Sequence, residues 1–160
     1  MQSIGILCVG KLKEKFYIQA AEEYQKRLQP FCKLELRELA EFRLPERASD
    51  AQIQIALQKE GKQILELLPK SGAVVALCIE GKGMSSGELA QWMAQQAVEG
   101  GSRVTFLIGG SYGLSDEVKQ RADLRLSMSR MTFPHHLARI LLLEQIYRSF
   151  QITEGTKYHK

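Results

Sequence analysis

Val104-Thr105-Phe106-Leu107-Ile108-Gly109-Gly110-Ser111-Tyr112-Gly113 is an apolar, β-favouring run that passes directly into a glycine-rich loop. A short continuous apolar run bounded by turn residues predicts a strand buried on both faces, as in a parallel sheet covered by helices. Ser3 to Gly10 and Ala73 to Ile79 repeat the pattern, and Leu124–Met128 offers a shorter version. Phe31 to Leu39 instead alternates, with Cys32, Leu34 and Leu36 set against Lys33, Glu35 and Arg37, which predicts a half-exposed strand. Helical spacing fills the intervals. Phe16, Ala20, Tyr24 and Leu28 mark a helix over 13–28 that Pro30 stops, and Ile53, Leu57, Ile64 and Leu68 mark one over 50–68 behind Ser49-Asp50. Ser85-Ser86 with Glu88 starts a third helix, which ends near Gly100-Gly101. Ser115 caps a short fourth, and Pro134 opens a last helix through about Phe150. Strands alternating with helices predict an α/β fold with a mostly parallel sheet sandwiched by helices. No linker or repeat divides it, so 1–160 reads as one domain.

The chain has 160 residues, 44% hydrophobic and 25% charged, an ordinary globular composition that excludes disorder and a fibrous rod. No apolar run is long enough to span a membrane, and the N-terminus lacks the pattern of a secretory signal. Cys8, Cys32 and Cys78 fit no zinc or CxxC spacing and sit in apolar stretches, so a reducing cytoplasm is expected. The net charge of +4 is uneven: residues 1–120 carry 15 basic and 15 acidic groups, and residues 121–160 carry 7 and 3. A basic final quarter points modestly to a phosphate-rich partner, and a merely solvated surface explains it as well.

Several familiar motifs fail on physical grounds. Gly5 to Lys11 begins like a phosphate-binding GxxxxGK loop, but Leu12 has no hydroxyl for magnesium and the intervening residues are apolar strand. Gly109–Gly113 lacks GxGxxG spacing, and no GxSxG nucleophile elbow occurs. His135 and His136 are adjacent, so on a helix they are expected to point about 100° apart and share no metal face. No metal is expected. What remains is a set of three strand-end loops: Leu77–Gly83, Ile108–Gly113 and Ser127–Pro134. They combine backbone amides, glycines permitting close approach, and the apolar side chains of Leu77, Met128, Met131 and Phe133. Such loops suit an adenosine-like ligand, and the absence of a basic phosphate cradle favours an uncharged or cationic one. In the last helix, Leu137, Ile140, Leu141, Leu142, Leu143, Ile146, Tyr147 and Phe150 cover most of the circumference, which predicts burial on two sides, in a homodimer or else as a central core helix of a monomer, the former favoured for a C-terminal helix.

Val9–Lys15 (VGKLKEK), EGK, IGGSYG, LSMSRMTFPH, EQIYR and the terminal Tyr158–Lys160 (YHK) occur in order along the whole length. This series resembles the SPOUT-class methyltransferases, and within them the family that methylates N3 of a pseudouridine in bacterial large-subunit ribosomal RNA. The resemblance implies a C-terminal deep trefoil knot and a homodimer. It implies S-adenosyl-L-methionine held at Leu77, Gly109 and along Met128, Ser129, Arg130, Met131, Thr132 and Phe133. It also implies a pseudouridine of 23S RNA helix 69 as target, within the assembled ribosome. Tyr112 and Arg130 depart slightly from the family pattern.

On the substrate side the candidates are His135, Arg139, Tyr158 and His159. His135 and Arg139 lie four apart on one helix face. Arg139 is a candidate to hold a phosphate or a developing enolate-like oxygen, and His135 or His159 to accept a proton. His135 also reads as a helix-start residue bonding only a loop. The tail would fray by default, and the resemblance promotes Tyr158 and His159 to substrate or cross-subunit contacts. On this reading Met131→Asp buries a charge in the cofactor slot. Two other classes stay open from the residues alone: a non-catalytic RNA- or ribosome-binding protein, and a small nucleotide-binding α/β enzyme.

Overall fold

The computed structural model describes residues 1–99 and 101–160. Five strands, β1 (Gln2–Val9), β2 (Cys32–Leu39), β3 (Ala73–Gly83), β4 (Arg103–Ile108) and β5 (Leu124–Ser127), pair in the order β2-β1-β4-β3-β5, and every pairing is parallel. The helices are α1 (Lys15–Leu28), α2 (Asp50–Leu67), α3 (Ser86–Glu99), α4 (Asp116–Arg121) and α5 (His135–Glu154). Alternation within each strand builds two cores. Ile4, Ile6, Val104, Phe106 and Val75 pack against α1, α3 and α5 on one face. Leu7, Val9, Val74, Ala76 and Leu107 pack against Ile64 of α2 and Val118 of α4 on the other. The predicted α/β sandwich is what the chain forms.

The helix starts follow their sequence signals. Ser49 and Gln52 bond reciprocally at the head of α2, as do Ser85 and Glu88 at α3, and Ser115 Oγ accepts from Val118 N at α4. Each such cap satisfies amides that have no partner within the helix. The stop expected at Gly100 lies outside the described residues. Two boundaries differ from expectation by four residues. Strand β3 runs four residues beyond Ile79, because after a register shift Lys82 and Gly83 pair again with Leu126 and Ser127. Helix α5 continues past Phe150 to Glu154 and ends on Gly155 in the left-handed conformation.

Arg139 is the main correction to the sequence reading. It is 2% exposed on α5, with Nη1 bonded to Glu38 Oε2 at 2.6 Å and Nη2 bonded to the Gly10 carbonyl at 3.0 Å. Its charge is spent inside the protein, so in this chain it does not face a phosphate or a substrate oxygen. A buried cation needs such partners because desolvation is otherwise unaffordable. Burial pushes the Glu38 carboxyl up, but the bonds from Arg139 and from Leu12 N outweigh it and hold the group below its ordinary range. The pair therefore adds full stability above the unfolded carboxylate pKa and loses it as pH falls through the lower folded value. Glu38→Gln should cost about 2 kcal/mol in denaturant unfolding, below the usual range for breaking a buried pair because Glu38 is partly open to water. An unchanged midpoint would show that the pair does not tie α5 to the sheet.

Candidate active site

The carboxyl ends of the parallel strands carry the loops in which ligands of such sheets bind. There, β3, β4 and the segment from β5 to α5 enclose a cleft of about 780 Å³. Leu77, Gly109, Met128, Ser129, Met131, Thr132 and Phe133, all singled out from the sequence, line it together with His135. Arg130 is exposed and does not contribute to the lining. Met131 lines the mouth but is 74% exposed, so a charge placed there would not be buried as expected. Half-buried Met128 is the better probe of the slot.

The glycine loop is built for close approach. Gly110 and Gly113 bridge one another, Gly113 N donates to Gly110 O, and a Cβ on Gly109 would collide with the Gly113 backbone. The loop is moored from outside the motif, because Glu41 Oε1 accepts from both Ser111 N (3.1 Å) and Ser111 Oγ (3.0 Å). Glu41 carried no sequence signal, since its partner lies 70 residues away. Lys119 also borders the cleft, but its ammonium is paired with Glu80 at 2.5 Å, which itself lines the wall. A cationic ligand would meet a neutralised pair there rather than a free ammonium.

His135 stands where this cleft meets a second one, of about 930 Å³, at the ends of β1 and β2. Pro134 precedes it and Gly10 faces it. The φ of +98° at Gly10 turns the chain under the two histidine rings, and a Cβ there would lie 3.4 Å from His135 Nε2 and 3.5 Å from His136 Nε2. The rings do not diverge as adjacent helical residues were expected to: their centroids are 4.2 Å apart. At the first turn of α5 no preceding helical turn restricts them, and both face the Gly10 gap. Desolvation, then the neighbouring His136, depress the His135 pKa, and Glu41 only partly opposes this. His135 Nε2 is buried and has no hydrogen-bond partner. The ring thus borders both clefts, its Nε2 is turned into the Gly10 gap, and desolvation favours its neutral form.

Tyr158 and His159 are elsewhere. The tail folds back along α5: Tyr158 Oη donates to Glu144 Oε1 at 3.1 Å, and Arg148 Nη1 lies 3.1 Å from His159 Nδ1. The Arg148 guanidinium stacks over the Tyr158 ring at 4.8 Å. This segment is docked rather than frayed. Its anchor Glu144 is nine residues from His135, roughly 14 Å along the helix. Neither tail residue lines either cleft of its own chain. Within one chain, therefore, only His135 of the four substrate-side candidates reaches the cleft.

A family model described as a predicted SPOUT methyltransferase matches residues 2–159. The chain belongs to the SPOUT methyltransferase family. It is 52% identical over 158 residues to a protein of Clostridioides difficile named ribosomal RNA large subunit methyltransferase H, covering 99% of both chains. Relatives of the same name from Bacillus pumilus and Oenococcus oeni are 50% and 47% identical, again over 99% and 100% of each chain. The fold also resembles the structure of a probable methylase family protein from Haemophilus influenzae, with a TM-score of 0.57 at 13% identity over 99% of this chain and 71% of that one.

The environment of His135 can be tested directly. Its imidazole should titrate below the ordinary value of 6.5 in an NMR pH series, staying neutral through pH 7 and charging only as pH falls further. A midpoint at or above that value would mean that the ring is neither desolvated nor available as a neutral acceptor.

Proposed function

We propose that the protein transfers a methyl group from S-adenosyl-L-methionine to N3 of a pseudouridine in 23S ribosomal RNA helix 69, acting on the assembled ribosome in the cytoplasm. The observation that carries this reading is the cleft bounded by the three strand-end loops, set within a chain about half identical, over its full length, to proteins named for ribosomal RNA methylation. The donor set fits the cofactor: an apolar slot between Leu77 and Met128, a glycine loop for the adenosine, and no unpaired lysine on the wall. Leu77, Gly109 and the Met128–Phe133 segment would hold it. When bound, it supplies an electrophilic methyl on a sulfonium centre.

The residues of the chain do the rest by position and proton handling. A ring nitrogen attacks only as its proton leaves, so a neutral acceptor beside the cleft is required. His135 is that acceptor in our reading, because its ring stands where the two clefts meet and desolvation favours its neutral form near pH 7. Most of the rate would come from holding the nucleotide in line, a role for rigid loops rather than flexible side chains.

The same reading includes a homodimer and the family's C-terminal knot. Support for the dimer comes from apolar surface that one chain leaves half covered: Tyr24 of α1, Phe31, and Leu141, Tyr147 and Phe150 of α5. Tyr158 and His159 would then act on the partner's cleft. Arg139 keeps a positioning role through Gly10 and His135.

Labelled S-adenosylmethionine should place methyl groups on ribosomes lacking the modification, at helix 69, and not on free 23S RNA. Unlabelled ribosomes together with intact S-adenosylhomocysteine binding would remove the substrate from this reading and leave the cofactor. Met128→Asp should weaken S-adenosylhomocysteine binding about tenfold or more by calorimetry, and Met131→Asp far less, because one charge enters the slot and the other stays in water. Equal effects would place the cofactor at the mouth. Removal of Tyr158–Lys160 should lower turnover at least about tenfold and leave S-adenosylhomocysteine affinity within about twofold, as expected of groups acting on substrate rather than cofactor. A fall in affinity would assign the tail to the cofactor.

A further inference from the structure

The second cleft, about 930 Å³, shares three residues with the first: Ser111, Tyr112 and His135. Tyr112 is 52% exposed, although an aromatic ring is costly to leave in water and this one has no ring partner among the described residues. Its backbone is nevertheless fixed. The Gly110–Gly113 bridge closes the turn on one side, and the two bonds from Ser111 to Glu41 hold the other. A ring presented on a moored loop, between two clefts, is a preorganised surface rather than a loose side chain.

The far side of the second cleft supplies charge. Lys11, Lys13 and Arg43 line it, are exposed, and join none of the ion pairs among the described residues. Five carboxylates share this lining and only Glu38 is neutralised by a cation, so the phosphate contacts are the three exposed side chains themselves rather than a positive field across the cleft. Glu38 is bonded to Arg139, Glu41 to Ser111 and Glu60 to Phe42 N, while Glu14 lies 3.9 Å from His136 and Glu46 remains open. Exposed cations and an exposed aromatic lining one cleft are the elements by which proteins hold an unpaired nucleotide: phosphates on the cations, the base on the ring.

We infer that the second cleft receives the RNA strand, with the target base stacked on Tyr112 and its flanking phosphates on Lys11, Lys13 and Arg43. This rests on the methyltransferase reading above and deepens it by assigning the substrate side of the site. A base on Tyr112 would stand at the junction that Tyr112 and His135 share with the cofactor cleft. Only a nucleotide drawn out of its helix reaches that position, so a flexible or already unpaired target is favoured.

The test separates this inference from the activity itself. Tyr112→Ala should raise the KM for unmodified ribosomes about tenfold or more, whereas Tyr112→Phe should stay within about twofold, because stacking needs the ring and not the hydroxyl. S-adenosylhomocysteine affinity should be unchanged in both. Unaltered kinetics in Tyr112→Ala, or a parallel loss of S-adenosylhomocysteine binding, would overturn the inference, the latter by giving Tyr112 to the cofactor. A benzophenone analogue of phenylalanine placed at position 112 should crosslink to ribosomal RNA on irradiation with ribosomes, and one at exposed Val98 should not. Crosslinking without methyl transfer would uphold the strand site and sink the reaction. Failure to crosslink in a protein that still methylates would sink the strand site alone.

Discussion

A single buried guanidinium fixes the relation between the last helix and the first two strands. Arg139 reaches from α5 to Glu38 at the end of β2 and to the Gly10 carbonyl at the end of β1. These partners lie 101 and 129 residues away, so no local preference brings them together. Once the clamp is made, the first turn of α5 must sit over the Gly10 turn, and His135 is carried to the junction of both clefts. The cost of desolvating the charge is offset only by this one geometry, which makes the clamp a device for register more than for net stability.

The consequence for the site is a division of labour. The moored loops, Ser111 on Glu41 and the Gly110–Gly113 bridge, form rigid walls, and His135, in the role proposed for it, would take a proton without a charged partner of its own. Glu41 is 3.9 Å from His135 Nε2, beyond a good hydrogen bond, and its Oε1 is engaged by Ser111. Glu41 therefore steadies the loop while only weakly favouring the imidazolium. That leaves desolvation in command of the His135 equilibrium, in the direction a neutral base requires.

Much of this was legible in the chain because local rules and global fold agree there. Buried runs such as Val104–Ile108 read as strands covered on both faces, and Ser85 with Glu88 and Ser49-Asp50 announce helix starts that the caps bear out. The residues that line the first cleft were legible because glycine and apolar loop positions advertise close contact. What was missed depends on distance. Arg139 looks like a surface residue until Glu38 arrives, and Tyr158 and His159 look like a loose end until Glu144 and Arg148 receive them. Strand β3 continues past Gly81 because Lys82 and Gly83 pair again with β5, and a Cβ at Gly81 would come within 2.7 Å of the Arg125 carbonyl oxygen, a proximity no local pattern encodes.

The place of the site follows from strand order. From β1 the chain crosses to β2 at one edge, and from β3 it later reaches β5 at the other, with β4 inserted between β1 and β3. The loops leaving β1 and β4 consequently diverge, and a crevice opens between them, as at the switch points of other parallel sheets. The Gly10 turn and the Gly109–Gly113 loop occupy the two lips of that crevice, and α5 crosses above through the Arg139 clamp. One cleft opens toward β3 and β5, the other toward β2, and Tyr112 and His135 stand on the ridge they share. A group-transfer reaction needs donor and acceptor delivered from different directions to one point. With the two clefts filled as proposed, the topology would supply the two directions and the buried arginine the point.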